Sequence, residues 1–458
     1  MSLMPVPAFK EGVAGQPQSF FASKAQTQHE RSVSTLIYRS LFKYDIYGVL
    51  NADLADTWTV DADGLVYSIK LKDNQFWSDG KKITADDLIY TSYKVADLAG
   101  VATDKVDDLT VRYTLPNKYS PFLSLLTIGI MHTDSEEKEN PLKPNASGDW
   151  KVARTERVGK AITQITLITR SDKYQIKKIV FKYYSNEDEL AIAGKLGEID
   201  GFLSTKKEEI TGFEDFKFPT QGIYYALYFN LNNEFLKDLT FRQKLEKVLD
   251  IKEIIFDKGV PVEGSVSRSI FTDRNLKFDK YDPTFKEDLS DQVVKITIPD
   301  IPSHTDLAEK IKTNWEDKLG LDVQIEKINP KDMVNNVVNP RNFQILFYGQ
   351  EVGRDPDRYV NWHSTQKITP GLNLSSFEHV RGDRALEEGR KELDNDKRLV
   401  HYREFQKSVN ENTPAIFLYH PFIHYYVSKY ISGIGEKYTF TQADRFLDFE
   451  NWKRIQTN

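Results

Sequence analysis

The sequence predicts an α/β protein, and three observations carry that prediction. In the second half, the apolar runs KITIPD, LDVQIEKI and FQILFYG alternate with the helical stretch HTDLAEKIKTNWEDKLG, a spacing that argues for a parallel sheet. From Trp150, WKVARTE, AITQITLITR and KKIVFKYYS alternate with period two and read as antiparallel strands. The length of 458 residues exceeds one ordinary core and implies two or three domains.

Taken in order, SVSTLIYRSLF has apolar residues at Val33, Leu36, Ile37 and Leu41, which predicts a helix over Ser32–Phe42. Tyr44 to Leu71 reads as strand, turn at Asp63-Gly64, and strand. In QFWSDGKKITADDLIY, Asp79-Gly80 is a hairpin signal between VYSIKLKD and KKIT. Thr84 then starts a helix through LIYTSYKVADLA, with Asp86 and Asp87 in the first turn, where negative charge suits the dipole. LTVRYTLP is a strand, SPFLSLL a short helix, and DSEEKENPLKPNASGD a polar loop that is a candidate domain crossing. Asn186 starts a helix that ends near Gly197 and leads into a short strand at Ile199–Leu203. YYALYFNL is a strand and LTFRQKLEKVLDIKEIIFD a helix pair. RGDRALEEGRKELD and DKRLVHYREFQKSVNEN are polar-faced helices, and AIFLYHPFIHYYVS returns to strand.

Composition narrows the function. With 40% hydrophobic and 28% charged residues the chain is globular, and a net charge of −6 with dispersed lysines supplies no field for a polyanion, so nucleic acid is excluded as a partner. The run PFLSLLTIGIM falls short of the ~20 residues a bilayer span needs. The absence of cysteine excludes disulfides, thiolate metal sites and cysteine nucleophiles. No signal peptide is visible in MSLMPVPAFKEG, and Met1-Ser2-Leu3 reads as an appended start in place of a native leader. The 23 tyrosines and 27 phenylalanines fill the core and suit a cleft that grips varied ligands. No Gly-x-Ser-x-Gly, Walker lysine or His-Glu-x-x-His occurs, and acid pairs such as Asp86/Asp87 and Glu208/Glu209 are neighbours on solvated elements. The chain therefore reads as no enzyme; the alternatives are a secreted hydrolase with two distant carboxylates, or a scaffold or receptor. His420 and His424 share a strand face as ordinary polar sites near a cleft, and His363 is a further cleft candidate.

The segment LADTWTVDADGLVYSIKLKDNQFWSDGKKITADDLIYTSYK resembles the signature of the family 5 extracellular solute-binding proteins, with its Leu-Ala-x-x-Trp strand, two Asp-Gly turns and Thr-Ala-x-Asp helix start. GDWKV, GEIDG, YFNL, FRQKLEKVLDIKEII, GQEVGRDPDRYVNWHS and PAIFLYHPFIHYYV follow in family order. The resemblance implies a periplasmic-binding-protein-like two-lobed fold (class II, cluster C type) with an additional small domain. Domain I would comprise 1–44, 147–223 and 431–458, a trimmed domain II 45–146, and domain III 224–430. It implies capture of oligopeptides or dipeptides in an interlobe cleft and delivery to ABC permease subunits in the membrane, without cofactor. A nickel or metal-chelate ligand is the alternative within the family. The protein would act as a monomer, extracellular or periplasmic, lipid-anchored in its native precursor.

By the same resemblance the ligand would meet Glu30, Arg31, Ser32 and Val33, just before the first helix, and Phe347, Tyr348, Gly349, Gln350 and Glu351, with Tyr419 nearby. The physical reason is that an extended peptide carries unpaired N–H and C=O groups that strand-like edges can satisfy whatever its side chains are. Two departures stand out. Only residues 95–105 separate TSYK from VDDLTV, where relatives carry a longer segment. Gln350 occupies a position where relatives commonly place tryptophan, and the segment is one residue shorter before Asp355-Pro356-Asp357. The aspartate that holds a ligand's α-amino group in many relatives is thereby lost, and Glu351 is the nearest acid. Asp355 and Asp357 are expected to cap and turn the chain.

Overall fold

A computed structural model describes residues 7–269 and 271–455. The expected appended start, Met1–Leu3, and the end of the last domain I segment, 456–458, lie outside the described residues. The chain divides into two compact units: Met1–Phe218 with Ile423–Asn458, and Pro219–Phe422. This departs from the three lobes expected. Residues of the expected domain II, among them Leu54, Ile69, Leu88 and Val111, belong to one continuous core with Phe9, Ile37, Trp150 and Trp452. The polar loop expected as a crossing lies inside the first unit, where Leu142 and Ala146 join that core. The crossings fall instead at 218/219 and 422/423, a few residues from the expected 223/224 and 430/431, and the second lies within the continuous strand Ala415–Ser428.

In the first unit, strand Ala8–Ala14 pairs in parallel with Lys178–Tyr184 on one side and Gly201–Ser204 on the other. The antiparallel strands Ala161–Thr169 and Trp150–Val158 extend the sheet beyond Lys178–Tyr184, as their alternation predicts. Alternation buries Ile179, Phe181 and Tyr183 on one side of their strand, consistent with a period of two. A separate four-stranded sheet runs Ala55–Val60, Val66–Leu71, Thr110–Thr114, Ala102–Lys105. Its first turn is the Asp63-Gly64 turn, with Gly64 at φ +70°. Asp79-Gly80 also turns, but it closes only a bridge between Phe76 and Lys82; Val66–Leu71 pairs elsewhere. The next helix spans Ala85–Lys94. Asp87 at its third position is more than a first-turn acid: it is buried and accepts from the Thr84 N–H, the Trp77 indole and both the N–H and the hydroxyl of Thr133.

In the second unit the sheet order is Asp322–Ile328, Val293–Pro299, Ile345–Glu351, Ile223–Phe229, then the first part of Ala415–Ser428. The first three strands are parallel, as the spacing predicts, and the last two are antiparallel to their neighbours. Both faces are covered. Leu227, Phe229 and Phe347 pack with Leu307, Ile311 and Trp315 of helix Pro302–Leu319, whereas Tyr224, Tyr228 and Leu346 pack with Tyr402, Phe405 and Val409 of helix Asn395–Asn412. Burial on two faces explains why these strands read as near-continuous apolar runs.

Candidate ligand-binding site

In open α/β sheets, ligands gather beyond the carboxyl ends of parallel strands, where the chain passes into loops and helix starts. Each unit offers such an end. In the first, strands Ala8–Ala14, Lys178–Tyr184 and Gly201–Ser204 run in one direction and finish around a cavity of about 250 Å³. Its walls include Glu11 to Gln16, Thr27 to His29, Tyr183, Leu203 and Arg445. A larger hollow of about 600 Å³ near Asp79, Lys143 and Lys151 lies away from these strand ends, against the sides of the Trp150–Val158 and Ala161–Thr169 strands.

The cavity wall is held by a buried ion pair. Arg445 approaches the Glu11 carboxylate at 2.9 Å, the Tyr425 hydroxyl donates to the same carboxylate at 2.7 Å, and Arg445 also donates to Ser32 Oγ and the Gln442 carbonyl. Burial pushes Glu11 above the usual carboxylate range against the opposing pull of Arg445. His29 Nε2 lies 2.7 Å from the Tyr183 hydroxyl. Burial, reinforced by the Arg445 charge, lowers His29 to about 3, so its ring is neutral at physiological pH. Among the described residues, Gln28 Oε1 and His29 Nδ1 are buried with no hydrogen-bond partner.

The first helix spans Gln28–Ile37, four residues earlier than apolar spacing predicts, because Thr27 and Glu30 form a capping box. Glu30 to Val33, expected as an extended edge ahead of the helix, therefore lie inside it. The Glu30 carboxylate accepts from the backbone N–H groups of Gln18, Ser19, Gln26 and Thr27. Those four donors occupy it, so it is not free for a ligand amine. Ser32 and Val33 are fully buried, Ser32 donating to the Gln28 carbonyl, and Arg31 is exposed with its Nε directed to the Ala25 carbonyl. Residues that do line the strand-end cavity include Gln28, His29, Tyr183 and Arg445. The signal that could have led to them is the Thr27-Gln28-His29-Glu30 box itself, which moves the helix start onto Gln28.

In the second unit, Phe347, Tyr348, Gly349, Gln350 and Glu351 form the carboxyl end of strand Ile345–Glu351. The strand pairs with Ile223–Phe229 along its whole length, but with Val293–Pro299 only through Ile345 and Leu346. The Val352 N–H donates to the Gly222 carbonyl at 2.9 Å. Antiparallel alternation then turns the N–H and C=O groups of Gly349 and Glu351 toward the other edge, where no strand is paired among the described residues. At Gly349 a Cβ would lie 2.9 Å from the Tyr225 ring, so glycine permits the close approach. Phe347 is core, packed edge-on to His304 at 5.0 Å, and Tyr419 is buried with its ring stacked on Tyr225 at 5.0 Å. Burial lowers His304 to about 4, and its Nδ1 has no hydrogen-bond partner among the described residues. Gln350 is buried too: its Oε1 accepts from the Tyr224 and Tyr228 hydroxyls and its amide donates to the Leu372 carbonyl. Glu351 is exposed.

Asp355 and Asp357 behave as expected. Asp355 binds Arg398 through both oxygens and accepts from the Asp357 N–H; Asp357 pairs with Arg390 and accepts from the Tyr359 N–H. The His420 nitrogens meet the Ile223 carbonyl and Ser267 Oγ, His424 Nδ1 meets Asp215, and the His363 ring is held by Thr365 and Glu387. Among the described residues, no group of three or more histidine or acidic side chains is placed to hold a metal ion.

Comparison with known proteins agrees with this architecture. Residues 49–370 match the model of bacterial extracellular solute-binding proteins, family 5. The chain is 24% identical to the oligopeptide-binding protein AppA of Bacillus subtilis, over 96% of this chain and 90% of that one. It is 20% identical to a dipeptide-binding protein of Pseudomonas aeruginosa, over 92% and 90%. Among solved structures, the ABC transporter substrate-binding protein CtaP of Listeria monocytogenes superimposes with a TM-score of 0.82 at 20% identity, covering 98% of this chain and 99% of that one. The B. subtilis AppA structure in complex with a nonapeptide gives 0.71 at 20% identity, with coverage of 98% and 99%. The family model covers most of the chain: this chain belongs to the family 5 bacterial extracellular solute-binding proteins.

Proposed function

We propose that this protein captures peptides outside the cytoplasmic membrane and delivers them, chemically unchanged, to the permease of an ABC importer. The observation that carries the reading is the strand edge at Gly349 and Glu351, whose backbone groups the pairing register directs away from the neighbouring strand. An extended peptide can add there as a further strand, its main chain supplying affinity independent of sequence. Family membership supports the reading, as do relatives named for oligopeptide and dipeptide binding. The protein acts as a monomer, and its native precursor is held at the outer face of the membrane by a lipid.

Native mass spectrometry of protein purified without denaturant tests this directly. The expected spectrum shows a ladder of peptide adducts that unfolding and refolding removes. Protein free of adducts, with no affinity for a mixed peptide pool in titration calorimetry, would rule the reading out.

A further inference from the structure

We propose that the outward face of the first unit's sheet rests on anionic phospholipid headgroups, held there by Lys10, Lys151, Lys178 and Lys182. The inference goes beyond peptide capture and rests on that reading's placement of the protein at the outer face of a membrane.

Register gathers these lysines. Lys151 and Lys178 flank Ile168 in a row across three strands, and the parallel pairing next to it sets Lys10 against Val180 and Gly12 against Lys182. Their strand neighbours Phe9, Val152, Ile179 and Phe181 are buried in the core, so the lysines stand half-exposed on the opposite side. With strands about 4.8 Å apart and a rise of about 3.3 Å per residue, Lys10 lies roughly 8 Å along the backbone from both Lys178 and Lys182. That is about one Debye length at physiological salt, so the charges repel one another. The acids set among them are taken, Glu156 by Arg154 at 3.3 Å and Asp200 by Arg454. Among the described residues none of the four lysines has an ion-pair partner. A chain of net charge −6 thus keeps four like charges together on one sheet face, a repulsion that an anionic partner would relieve.

The class of partner follows from the form of the array. Between the lysines stand Ile168 and Val180, both half-buried, and no exposed aromatic of the kind that anchors a protein interface. Charges spread over four strands suit a layer of headgroups, where each basic residue near the surface adds its own attraction. At the edge of the array the hollow of about 600 Å³ brings Lys143 beside Lys151, and its acids Asp79 and Glu139 are met by Lys81 and by the His132 ring. The described chain also enters the sheet here: the Pro7 carbonyl accepts from the N–H groups of Lys177 at 2.9 Å and Lys178 at 3.3 Å. A lipid-bearing segment ahead of Pro7 would leave beside Lys178, and an acyl chain combined with a basic patch holds a membrane far better than either alone. None of the four lysines lines the strand-end cavity, so the contact uses none of its walls.

The test is co-sedimentation of the lipid-free chain with vesicles of mixed phosphatidylglycerol and phosphatidylcholine, set against vesicles of phosphatidylcholine alone. Wild type should bind the anionic vesicles, leave them as salt is added, and ignore the neutral ones. Lys10→Gln, Lys151→Gln, Lys178→Gln and Lys182→Gln should each weaken partitioning by about fivefold, and the quadruple variant should lose it. A charge-matched control at exposed positions of the second unit, Lys252→Gln with Lys277→Gln, Lys327→Gln and Lys331→Gln, should stay within about twofold of wild type. Equal losses in the two quadruple variants would reduce the effect to net charge and overturn the face, as would a wild type indifferent to anionic vesicles. Binding to immobilised polyglutamate but not to the anionic vesicles would assign the face to an acidic protein and overturn the bilayer. The urea midpoint of the first quadruple variant should equal or exceed that of wild type, because like charges are removed; a lower midpoint would show that the lysine stems hold the sheet, and would overturn the argument from repulsion. Peptide adducts are read in a separate spectrum, so peptide capture and membrane contact can each fail alone.

Discussion

Glu30 shows how a side chain suited to ligand binding can be claimed by the backbone. Burial alone would raise its pKa, but the N–H groups of Thr27, Gln18, Ser19 and Gln26 outweigh it and hold the carboxylate below its ordinary 4.5. Glu30→Gln should lower stability by ~1–3 kcal/mol in urea unfolding, because charge-assisted bonds to buried N–H groups are lost. The sign with pH follows from the depressed value: the contribution is complete above the unfolded-state pKa and disappears as pH falls through the folded one. The gap between wild type and Glu30→Gln should therefore close below about pH 4; a constant gap down to pH 3 would contradict the role given to the carboxylate. Gln350 is likewise structural, and Gln350→Leu should strand the Tyr224 and Tyr228 hydroxyls at a cost of ~1–3 kcal/mol, measurable by the same unfolding. Glu351 is different because it is exposed at the strand end. Glu351→Gln should change the affinity for a free-amine peptide by less than about fivefold, and the change should fade with added salt. A larger, salt-independent loss would show that the bound ligand desolvates this carboxylate.

At the scale of the element, junctions are set by close backbone approach as much as by periodicity. Gly148 precedes strand Trp150–Val158, and its N–H donates at 2.7 Å to the Ile37 carbonyl at the end of the first helix. A Cβ there would lie 2.6 Å from the Leu36 carbonyl oxygen and 2.9 Å from the Ile37 carbonyl carbon, and neither backbone atom can move aside cheaply. Gly148→Ala should destabilise the fold by ~1–3 kcal/mol, read from the urea midpoint at unchanged slope. A midpoint equal to wild type would mean that the helix end can shift. The same contact gives a physical reason for glycine in the GDWKV motif.

For the molecule as a whole, the two units differ in how the chain supplies them. Pro219–Phe422 is continuous and has its own cores on both faces of a sheet, whereas the other unit is assembled from two distant segments. Residues 219–422 expressed alone should unfold cooperatively in urea, since their apolar contacts are largely internal. A non-cooperative, broad transition would show that the strand continued past Phe422 is needed to hold the unit together.

By itself the sequence determined the alternation of strand and helix, the three parallel strands of the second unit, the Asp-Gly turns and the family. These rest on period, turn chemistry and motif order, all local along the chain. The first helix start was equally legible in Thr27-Gln28-His29-Glu30, but apolar spacing pointed four residues later. The edge at Gly349 and Glu351 came from resemblance, and only the register with Ile223–Phe229 decided which backbone groups face outward. The strand-end cavity could not be read at all: Glu11 and Arg445 stand 434 residues apart, and His29 meets Tyr183 across 154. Periodicity reports which side of an element is buried, and the choice of atoms that meet there, with the polar atoms left unpaired, is made by tertiary packing alone.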